Sequence, residues 1–433
     1  MTYPEALAYI ASLEPRGWRL GLDRMEAFIR RAGLESAVGR GPSPQFIHVA
    51  GTNGKGSVTA FLQSILVESG HQTGAFFSPF VVDPRERVQI NRDFISPDQL
   101  ARAVEILAPI ADGFSDTQFG GISEFEFKTA VGFLQWRESG CDWVALEVGL
   151  GGRLDSTNVV TPRASIVVSI GLDHMNLLGH THAEIAAEKA GIIKPKVPVV
   201  VGQLPDEALV VVKSVAAQLQ SPVWAFGREI HLQSEQNGDF SVETPAGMIN
   251  HLNPSLNGVM QPHNMALAIA SIQAVGLILD EEALRRGAAS AWIPGRMQVQ
   301  QRFGRNFVLD GAHNVDSARH LRQSLEELNL LGLGPVKRIV LLTNMLSGHD
   351  PEPFYEVWRD LVSDVHVVPI SFHRAVSPLE TADRIRHIFL QASIYPDIPS
   401  GITQAVAETG PEDIILVTGS FYLVGEVLKL LAD

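Results

Sequence analysis

A short apolar segment followed by a glycine-rich turn constrains the fold of this chain more than any other feature. Residues 45–50 read QFIHVA, and residues 51–57 read GTNGKGS. We interpret the first segment as a strand, the second as a turn, and the residues from about Ser57 to Ser69 as a helix. Backbone N–H groups in such a turn point inward and the helix dipole adds positive potential, so the pattern predicts an anion site.

The residue types in the turn indicate that the anion is a phosphate. Glycines let the backbone approach a phosphate without an intervening Cβ. Lys55 would neutralise the β- and γ-phosphates, and the Ser57 hydroxyl would bind Mg²⁺. The spacing differs from G-x-x-x-x-G-K-[ST], because Gly56 separates the lysine from the hydroxyl. The alternative is a tight strand-to-helix turn without a ligand, but the order of strand, lysine and hydroxyl favours phosphate.

The turn resembles the nucleotide loop of the bacterial folylpolyglutamate synthase and dihydrofolate synthase family, the folate branch of the Mur-ligase superfamily. The resemblance extends from about Leu20 to about Gly425. It implies an ATP-dependent ligase that adds L-glutamate to dihydropteroate or folates. It also implies that the whole turn binds ATP, namely Gly51, Thr52, Asn53, Gly54, Lys55, Gly56 and Ser57.

Composition limits the partners of this chain. A length of 433 residues allows two or three domains, and a net charge of -14 argues against a general nucleic-acid binder. The single cysteine, Cys141, fits a reducing compartment. The first residues lack the layout of a signal peptide, and no apolar run approaches the roughly 18 residues of a membrane span. We expect a cytoplasmic monomer that binds neither nucleic acid nor membrane.

Two further strand ends carry candidate metal ligands. Glu147 ends the apolar run 142–148, and a glycine-rich loop, residues 149–155, follows it. His174 follows another predicted strand, from about Ala164 to Ile170. Carboxyl ends of parallel strands face the ligand crevice of an α/β sheet, although a strand-end Glu in solvent and a structural His are the alternatives. The resemblance implies that Ser57, Glu147 and His174 hold Mg²⁺, with Mn²⁺ as a possible substitute.

Three more residues receive roles from the resemblance. Lys189, in the sequence Glu-Lys-Ala-Gly, would be carbamylated by CO₂ and would help a second Mg²⁺. A lysine near a helix C-terminus is also favoured by the dipole alone. Asn264 would contact adenine, and Arg296 would reach an ATP phosphate when the domains close, with a surface arginine as its alternative.

The residues expected to bind the folate substrate lie in two segments. Ser78 belongs to a loop that the family places near the pterin, and Phe125 occupies the position of an aromatic residue that stacks on the pterin. A core position is the alternative for Phe125. Arg85 and Arg87 follow Ser78, and a solvated charge run is their alternative.

The C-terminal part alternates strands with helices, which predicts a second, mostly parallel, Rossmann-like sheet. Pro294-Gly295 is a turn signal at the expected domain junction. We therefore predict an α/β fold with a P-loop ATP-binding domain, residues 1–295, and a glutamate-ligase domain, residues 296–433. The resemblance assigns Asp310 to the ribose of ATP, His313 to the incoming glutamate, and Ser420 to a substrate-binding segment.

Together these features predict transfer of the ATP γ-phosphoryl group to a carboxylate, followed by attack of the glutamate amine on the acyl phosphate. Lys55 and Arg296 would stabilise the transferring phosphoryl charge. The alternatives are another Mur-type amino-acid ligase and a P-loop NTPase that is no ligase. The sequence does not distinguish dihydrofolate synthesis from extension of glutamate tails.

Overall fold

The chain forms two compact units. The computed structural model describes residues 1–16, 20–39, 41–42, 44–115, 117–327, 338–389 and 392–432. The first unit comprises Met1–Pro79, Arg85–Ser255 and Pro262–Trp292, and the second comprises Phe80–Pro84, Leu256–Gln261 and Ile293–Asp433. The functions assigned to residues 1–295 and 296–433 stay predictions.

An eight-stranded sheet forms the centre of the first unit. In spatial order its strands are β4 (Asp93–Phe94), β3 (Val88–Ile90), β2 (Thr73–Phe76), β5 (Trp143–Glu147), β1 (Gln45–Ala50), β6 (Ala164–Val167), β7 (Val199–Val201) and β8 (Val223–Ala225). The neighbouring strands in the run β2, β5, β1, β6, β7 and β8 pair in parallel. The strand β3 is antiparallel to both of its neighbours, β2 and β4. Parallel strands need covering on both faces, which accounts for their apolar runs.

Helices supply that covering. In chain order they are α1 (Tyr3–Ser12), α2 (Asp23–Arg31), α3 (Lys55–Glu68), α4 (Pro97–Asp112), α5 (Glu124–Glu138), α6 (Met175–Leu178), α7 (His182–Ala190), α8 (Asp206–Gln218), α9 (Gln261–Ala274) and α10 (Glu281–Ser290). One core cluster joins α1, α2, α4 and α5 through side chains such as Phe28, Phe127 and Trp136. Another joins α7 and α8 to β6 and β7.

A small antiparallel sheet follows β8 in the chain. It consists of β9 (His231–Ser234), β10 (Phe240–Thr244) and β11 (Gly247–Leu252). Residues 223–225 form β8 and pair in parallel with β7.

Local signals place the helix starts. Ser123 caps α5 through a capping box with Glu126. Leu22 caps α2 without a side-chain hydrogen bond, and Asp23 is the first helical residue, where its charge favours the dipole. The helix after the glycine-rich turn begins at Lys55, two positions before the predicted start.

The second unit has a six-stranded sheet. In spatial order its strands are β12 (Gln298–Arg302), β13 (Arg305–Leu309), β17 (Ile414–Thr418), β14 (Ile339–Thr343), β15 (Asp364–Val367) and β16 (Ala392–Ile394). Its helices are α11 (Val315–Glu326), α12 (Pro351–Glu356), α13 (Pro378–Ile385), α14 (Ile398–Glu408) and α15 (Phe421–Ala432). Only β12 pairs antiparallel, so the predicted α/β class with mostly parallel sheets is confirmed.

Side chains on this sheet alternate between two cores. Val308 faces a core with α11, α12 and α13, whereas Phe307 and Leu309 face a core with α14 and α15. This alternation follows from the two-residue repeat of a strand. Within the described part of the chain, no helix combines the length and apolar character needed to cross a bilayer.

Candidate active site

The glycine-rich turn between β1 and α3 is held against the segment that follows β6. The backbone N–H of Thr52 donates to the Ser169 carbonyl at 2.9 Å, and the Asn53 N–H donates to Ser169 Oγ at 2.9 Å. Ser169 Oγ in turn donates to the Asn53 carbonyl at 2.8 Å, and Gly171 N–H donates to Thr52 Oγ1 at 2.9 Å. These bonds fix the loop against the segment that follows β6.

Gly54 is the residue for which the loop requires glycine. It has φ +83° and caps α3, and a Cβ there would lie 2.8 Å from Asn264 Oδ1 and 2.9 Å from Val168 Cγ1. A side chain would therefore meet both backbone strain and a buried neighbour. Asn264, on α9 and 3 % exposed, thus lies directly against the loop. Its assignment to adenine stays a prediction.

A buried lysine supports the start of the loop. Lys189, at the end of α7, is 4 % exposed, and its Nζ donates to the Gly51 carbonyl at 3.0 Å. Burial, and then the positive charge of Lys55, lower the pKa of Lys189 to about 7, against opposing effects of Asp173 and Asp155. A lysine with this pKa is substantially neutral near pH 7, the form that can react with CO₂.

The predicted metal ligands come from elements that adjoin the phosphate loop. Glu147 ends β5 on one side of β1, His174 follows β6 on the other side, and Ser57 lies in α3. The strand β1 lies between β5 and β6, and Glu147, the last residue of β5, is in register with Val49. Glu147 is 2 % exposed and accepts a hydrogen bond from Ser78 N–H at 3.0 Å. Ser57, in the first turn of α3, is 1 % exposed. The solvated alternative for Glu147 is therefore wrong.

His174 follows β6, on the other side of β1. It adopts φ +50° as the N-cap of α6, and its N–H donates to Asp173 Oδ1 at 2.8 Å. A carboxylate, a hydroxyl and an imidazole suit Mg²⁺ or Mn²⁺ by donor chemistry. Within the described ranges, the three His or acidic side chains whose ligand atoms all lie within 4.8 Å of one another are Glu235, Asp239 and His251, at the small sheet. The metal assignment of Ser57, Glu147 and His174 stays a prediction.

The two predicted folate segments lie together beside Glu147. Arg87 Nη1 donates to Ser78 Oγ at 3.1 Å, and its guanidinium lies 5.5 Å from the centre of the Phe125 ring. The Phe125 ring packs edge-on against Phe76, with centroids 6.0 Å apart, and is half-buried. Arg87 is 7 % exposed, so the solvated charge run predicted as its alternative is wrong for this residue. The pterin role of Phe125 stays a prediction.

In the second unit, the predicted residues follow the ends of β13 and β17. The Asp310 carboxylate accepts bonds from Met297 N–H at 2.7 Å and Ala312 N–H at 2.8 Å. Desolvation raises the pKa of Asp310, and the positive charge of Arg296 opposes that rise. The Arg296 guanidinium stacks 3.9 Å above the Phe421 ring.

His313 and Ser420 lie at neighbouring strand ends. His313 Nδ1 lies 2.7 Å from the Gly311 carbonyl, which can only accept, so Nδ1 carries the proton of the neutral ring. Ser420 is 3 % exposed, and its Oγ accepts from Tyr422 N–H at 3.2 Å, just before α15. Their substrate roles stay predictions.

Sequence reasoning missed the residues that hold the site in place. Ser169 and Gly171 fix the phosphate loop, and Asp155 accepts a hydrogen bond from Leu150 N–H at 2.9 Å within the loop that follows Glu147. The available signal was positional, because each follows a predicted strand in a glycine-containing segment.

Comparisons with known proteins agree with this arrangement. A family model described as Mur ligase, glutamate ligase domain matches residues 295–421. The dihydrofolate synthase/folylpolyglutamate synthase of Bacillus subtilis is 32% identical, with 99% of each chain covered. The protein of the same name from Escherichia coli is 31% identical, with 98% of this chain and 94% of that protein covered.

Solved structures resemble the chain over nearly its whole length. A structure of E. coli FolC in complex with DHPP and ADP has a TM-score of 0.88 at 29% identity, with 100% of this chain and 98% of that chain covered. A bifunctional folylpolyglutamate synthase/dihydrofolate synthase with Mn, AMPPNP and L-glutamate bound has a TM-score of 0.86 at 28% identity, with 100% and 98% covered.

Proposed function

This chain belongs to the folylpolyglutamate synthase/dihydrofolate synthase family, and we propose that it is an ATP-dependent ligase joining L-glutamate to dihydropteroate or to folates. The observation that carries the proposal is the hydrogen-bonded glycine-rich loop after β1, with the buried Glu147 on the adjacent strand. Relatives crystallised with ADP and DHPP, or with AMPPNP, Mn and L-glutamate, support the choice of substrates.

The reaction has two steps. A carboxylate oxygen of the acceptor attacks the γ-phosphorus of ATP, which gives an acyl phosphate and releases ADP. The amine of glutamate then attacks the acyl carbon, phosphate leaves with the C–O electron pair, and an amide remains after loss of a proton. The substrate supplies its own nucleophile, so the protein contributes mainly position and charge.

Residues of the first unit supply charge and position for the first step. We assign Lys55, which follows Gly54 at the start of α3, to the β- and γ-phosphates. Gly51, Thr52, Asn53, Gly56 and Ser57 complete the proposed phosphate site. Hydrogen bonds that hold this loop in place would favour electrostatic preorganisation of the phosphate site.

Ser57, Glu147 and His174 would hold a divalent cation beside that loop. Mg²⁺, or Mn²⁺ in its place, would neutralise phosphate charge when bound. Glu147 suits this role because a buried carboxylate with an oriented N–H partner presents a fixed oxygen.

Lys189 is the proposed site of a carbamate. The neutral amine attacks CO₂, forms an N–C bond and releases one proton, which leaves an anionic group in place of a cation. The pKa of about 7 and the burial of Lys189 support this assignment. Anionic oxygens at this position would suit a second Mg²⁺.

The remaining assignments concern the second substrate and the setting. We assign Ser78 and Phe125 to the folate, Asn264, Arg296 and Asp310 to the nucleotide, and His313 and Ser420 to the substrates. The expected monomeric state, the cytoplasmic location and the absence of nucleic-acid partners stay predictions.

The test is a product assay with purified protein, ATP, Mg²⁺ and L-glutamate. Dihydropteroate and tetrahydrofolate are supplied separately as acceptors, and products are identified by mass. We expect a mass increase of one glutamyl residue on at least one acceptor. Turnover with both acceptors would assign both activities, and turnover with one would assign that half. ATP binding without a glutamylated product from either would refute the proposal and favour another amino-acid ligase.

A further inference from the structure

A buried hydrogen-bond chain connects the strand before the phosphate loop to the loop after Glu147. His48, in the middle of β1, is 0 % exposed, and its Nε2 lies 2.9 Å from Thr157 Oγ1. Thr157 Oγ1 donates to Asp155 Oδ1 at 2.6 Å. Both Thr157 and Asp155 are buried, so this chain is shielded from water.

The chemistry of the chain fixes the state of His48. With Asp155 ionised, Thr157 gives its one hydroxyl proton to that carboxylate, so His48 Nε2 carries a proton and donates. Nδ1 is then an acceptor, and it is buried without a hydrogen-bond partner among the described residues. Burial, and then the charge of Lys194, lower the pKa of His48 to about 3, so the ring stays neutral across the working pH range.

Asp155 connects the hydrogen-bond chain from His48 to the backbone of the loop 149–155. Besides Thr157 Oγ1, its carboxylate accepts from Thr157 N–H at 2.9 Å and from Leu150 N–H at 2.9 Å. The two contacts on Leu150 and Thr157 tie both ends of the loop to one side chain. The loop begins two residues after Glu147, so the position of the loop affects the position of the Glu147 carboxylate.

The same loop packs between two other proposed site residues. A Cβ on Gly149 would lie 2.2 Å from Phe125 Cζ, so the ring rests on this glycine. A Cβ on Gly152 would lie 3.0 Å from the Lys189 carbonyl, at the end of α7. A shift of the loop would therefore displace its contacts with Phe125 and with the backbone of Lys189.

We propose that His48 is a positioning residue that acts through Thr157 and Asp155 to hold the loop 149–155 in its reactive place. The inference rests on the proposed function. An apolar side chain would fill the same central-strand position without leaving a buried lone pair at Nδ1. The donor contact to Thr157 accounts for a histidine at this position.

The test compares His48→Phe, which lacks the donor, with Thr157→Val, which lacks the hydroxyl, and with the double variant. We expect kcat for glutamylation to fall about 10- to 100-fold in each single variant, with KM for ATP within about twofold. The double variant should fall no further than the more impaired single variant, because both changes break one chain. His48→Gln, whose side-chain N–H can donate, should recover most of kcat.

Hydrogen exchange gives a readout that does not need activity. In folded protein, amide exchange in the peptide covering residues 148–158 should accelerate equally in His48→Phe and Thr157→Val. Thr73→Val is the matched control, because Thr73 lies on β2 of the same sheet. The change removes a buried hydroxyl that donates to the His71 carbonyl. This control should leave exchange in the loop and kcat unchanged.

Two results would overturn the inference. One is loss of thermal stability with wild-type kcat and wild-type exchange in the loop, which would make His48 structural only. The other is additive losses in the double variant. If wild-type protein glutamylates no acceptor, the proposed function fails by itself, and the exchange measurement still decides whether His48 positions the loop.

Discussion

The Nζ atom of Lys189 donates a hydrogen bond to the carbonyl oxygen of Gly51, 3.0 Å away, where the chain leaves β1 for the phosphate loop. The two residues are 138 positions apart in sequence. The contact places a buried amine against the start of the phosphate loop, and Lys55 follows at the loop's other end, where α3 begins. Its pKa of about 7 makes this amine chemically distinct from a surface lysine.

Replacing Lys189 by Ala should lower kcat for glutamylation by roughly 10²- to 10³-fold, a loss comparable with removal of one preorganised hydrogen-bond donor to a transition state. ¹³C NMR of wild-type protein in ¹³C-bicarbonate should show a carbamate signal that Lys189→Ala lacks. Lys213→Ala, on α8 of the same unit, is the control and should retain both signal and activity. A wild-type spectrum without the signal would contradict carbamylation, whatever the activity of the variant.

The pKa of Lys189 also predicts a pH dependence of stability in CO₂-free buffer. The folded-state pKa of about 7 lies below the ordinary lysine value of 10.5, so the unfolded chain binds more protons between these values. The free energy of unfolding should therefore rise with pH across this window, by at most about 1.4 kcal/mol per pH unit, and level off below it. Urea unfolding at a series of pH values measures this dependence. The unfolding free energy should change less with pH in Lys189→Met than in wild type or in the exposed-site control Lys429→Met.

Gly54 and Gly70 provide a matched pair at the two ends of α3. Both have positive φ, +83° and +85°, but a Cβ at Gly70 meets nothing within 4 Å. Gly70→Ala should lose only about 1–2 kcal/mol of stability from backbone strain. Gly54→Ala should also weaken ATP binding, because Asn264 and Val168 must move. Calorimetric titration with ATP checks this, and equal affinities in the two variants would refute the proposed role of Gly54.

Glu147→Gln should raise the Mg²⁺ or Mn²⁺ concentration needed for half-maximal activity by at least about tenfold. The change keeps the size of the side chain but removes the charge that a divalent cation prefers. Titration of Mn²⁺ by electron paramagnetic resonance measures binding directly. Glu138→Gln, at the end of α5, is the control, and an unchanged Mn²⁺ affinity in Glu147→Gln would remove Glu147 from the metal site.

His313→Ala should raise KM for L-glutamate about tenfold or more, with KM for ATP nearly unchanged, because its imidazole is assigned to that substrate. The exposed His387 of the same unit provides the control, His387→Ala, which should behave as wild type. Steady-state kinetics at varied glutamate and fixed, saturating ATP separates the two constants. A rise in KM for ATP alone would move His313 to the nucleotide.

Signals made of adjacent residues could be read from the sequence alone. The phosphate turn, the alternating strands and helices of the second half and the carboxylate at the end of β5 all depend on local pattern. Local pattern determines these features because backbone conformation and strand burial repeat with a fixed period. Local pattern was less exact for boundaries, since α3 begins at Lys55, two positions before the predicted start.

Tertiary structure alone decided which side chains lost contact with water and which partners they met. Arg87 is buried beside Phe125, Lys189 reaches Gly51, and His48 donates to Thr157 across 109 positions. Desolvation sets the pKa of Lys189, and a hydroxyl brought from elsewhere in the chain sets the tautomer of His48. Both depend on atoms distant in sequence, so a one-dimensional pattern cannot contain them.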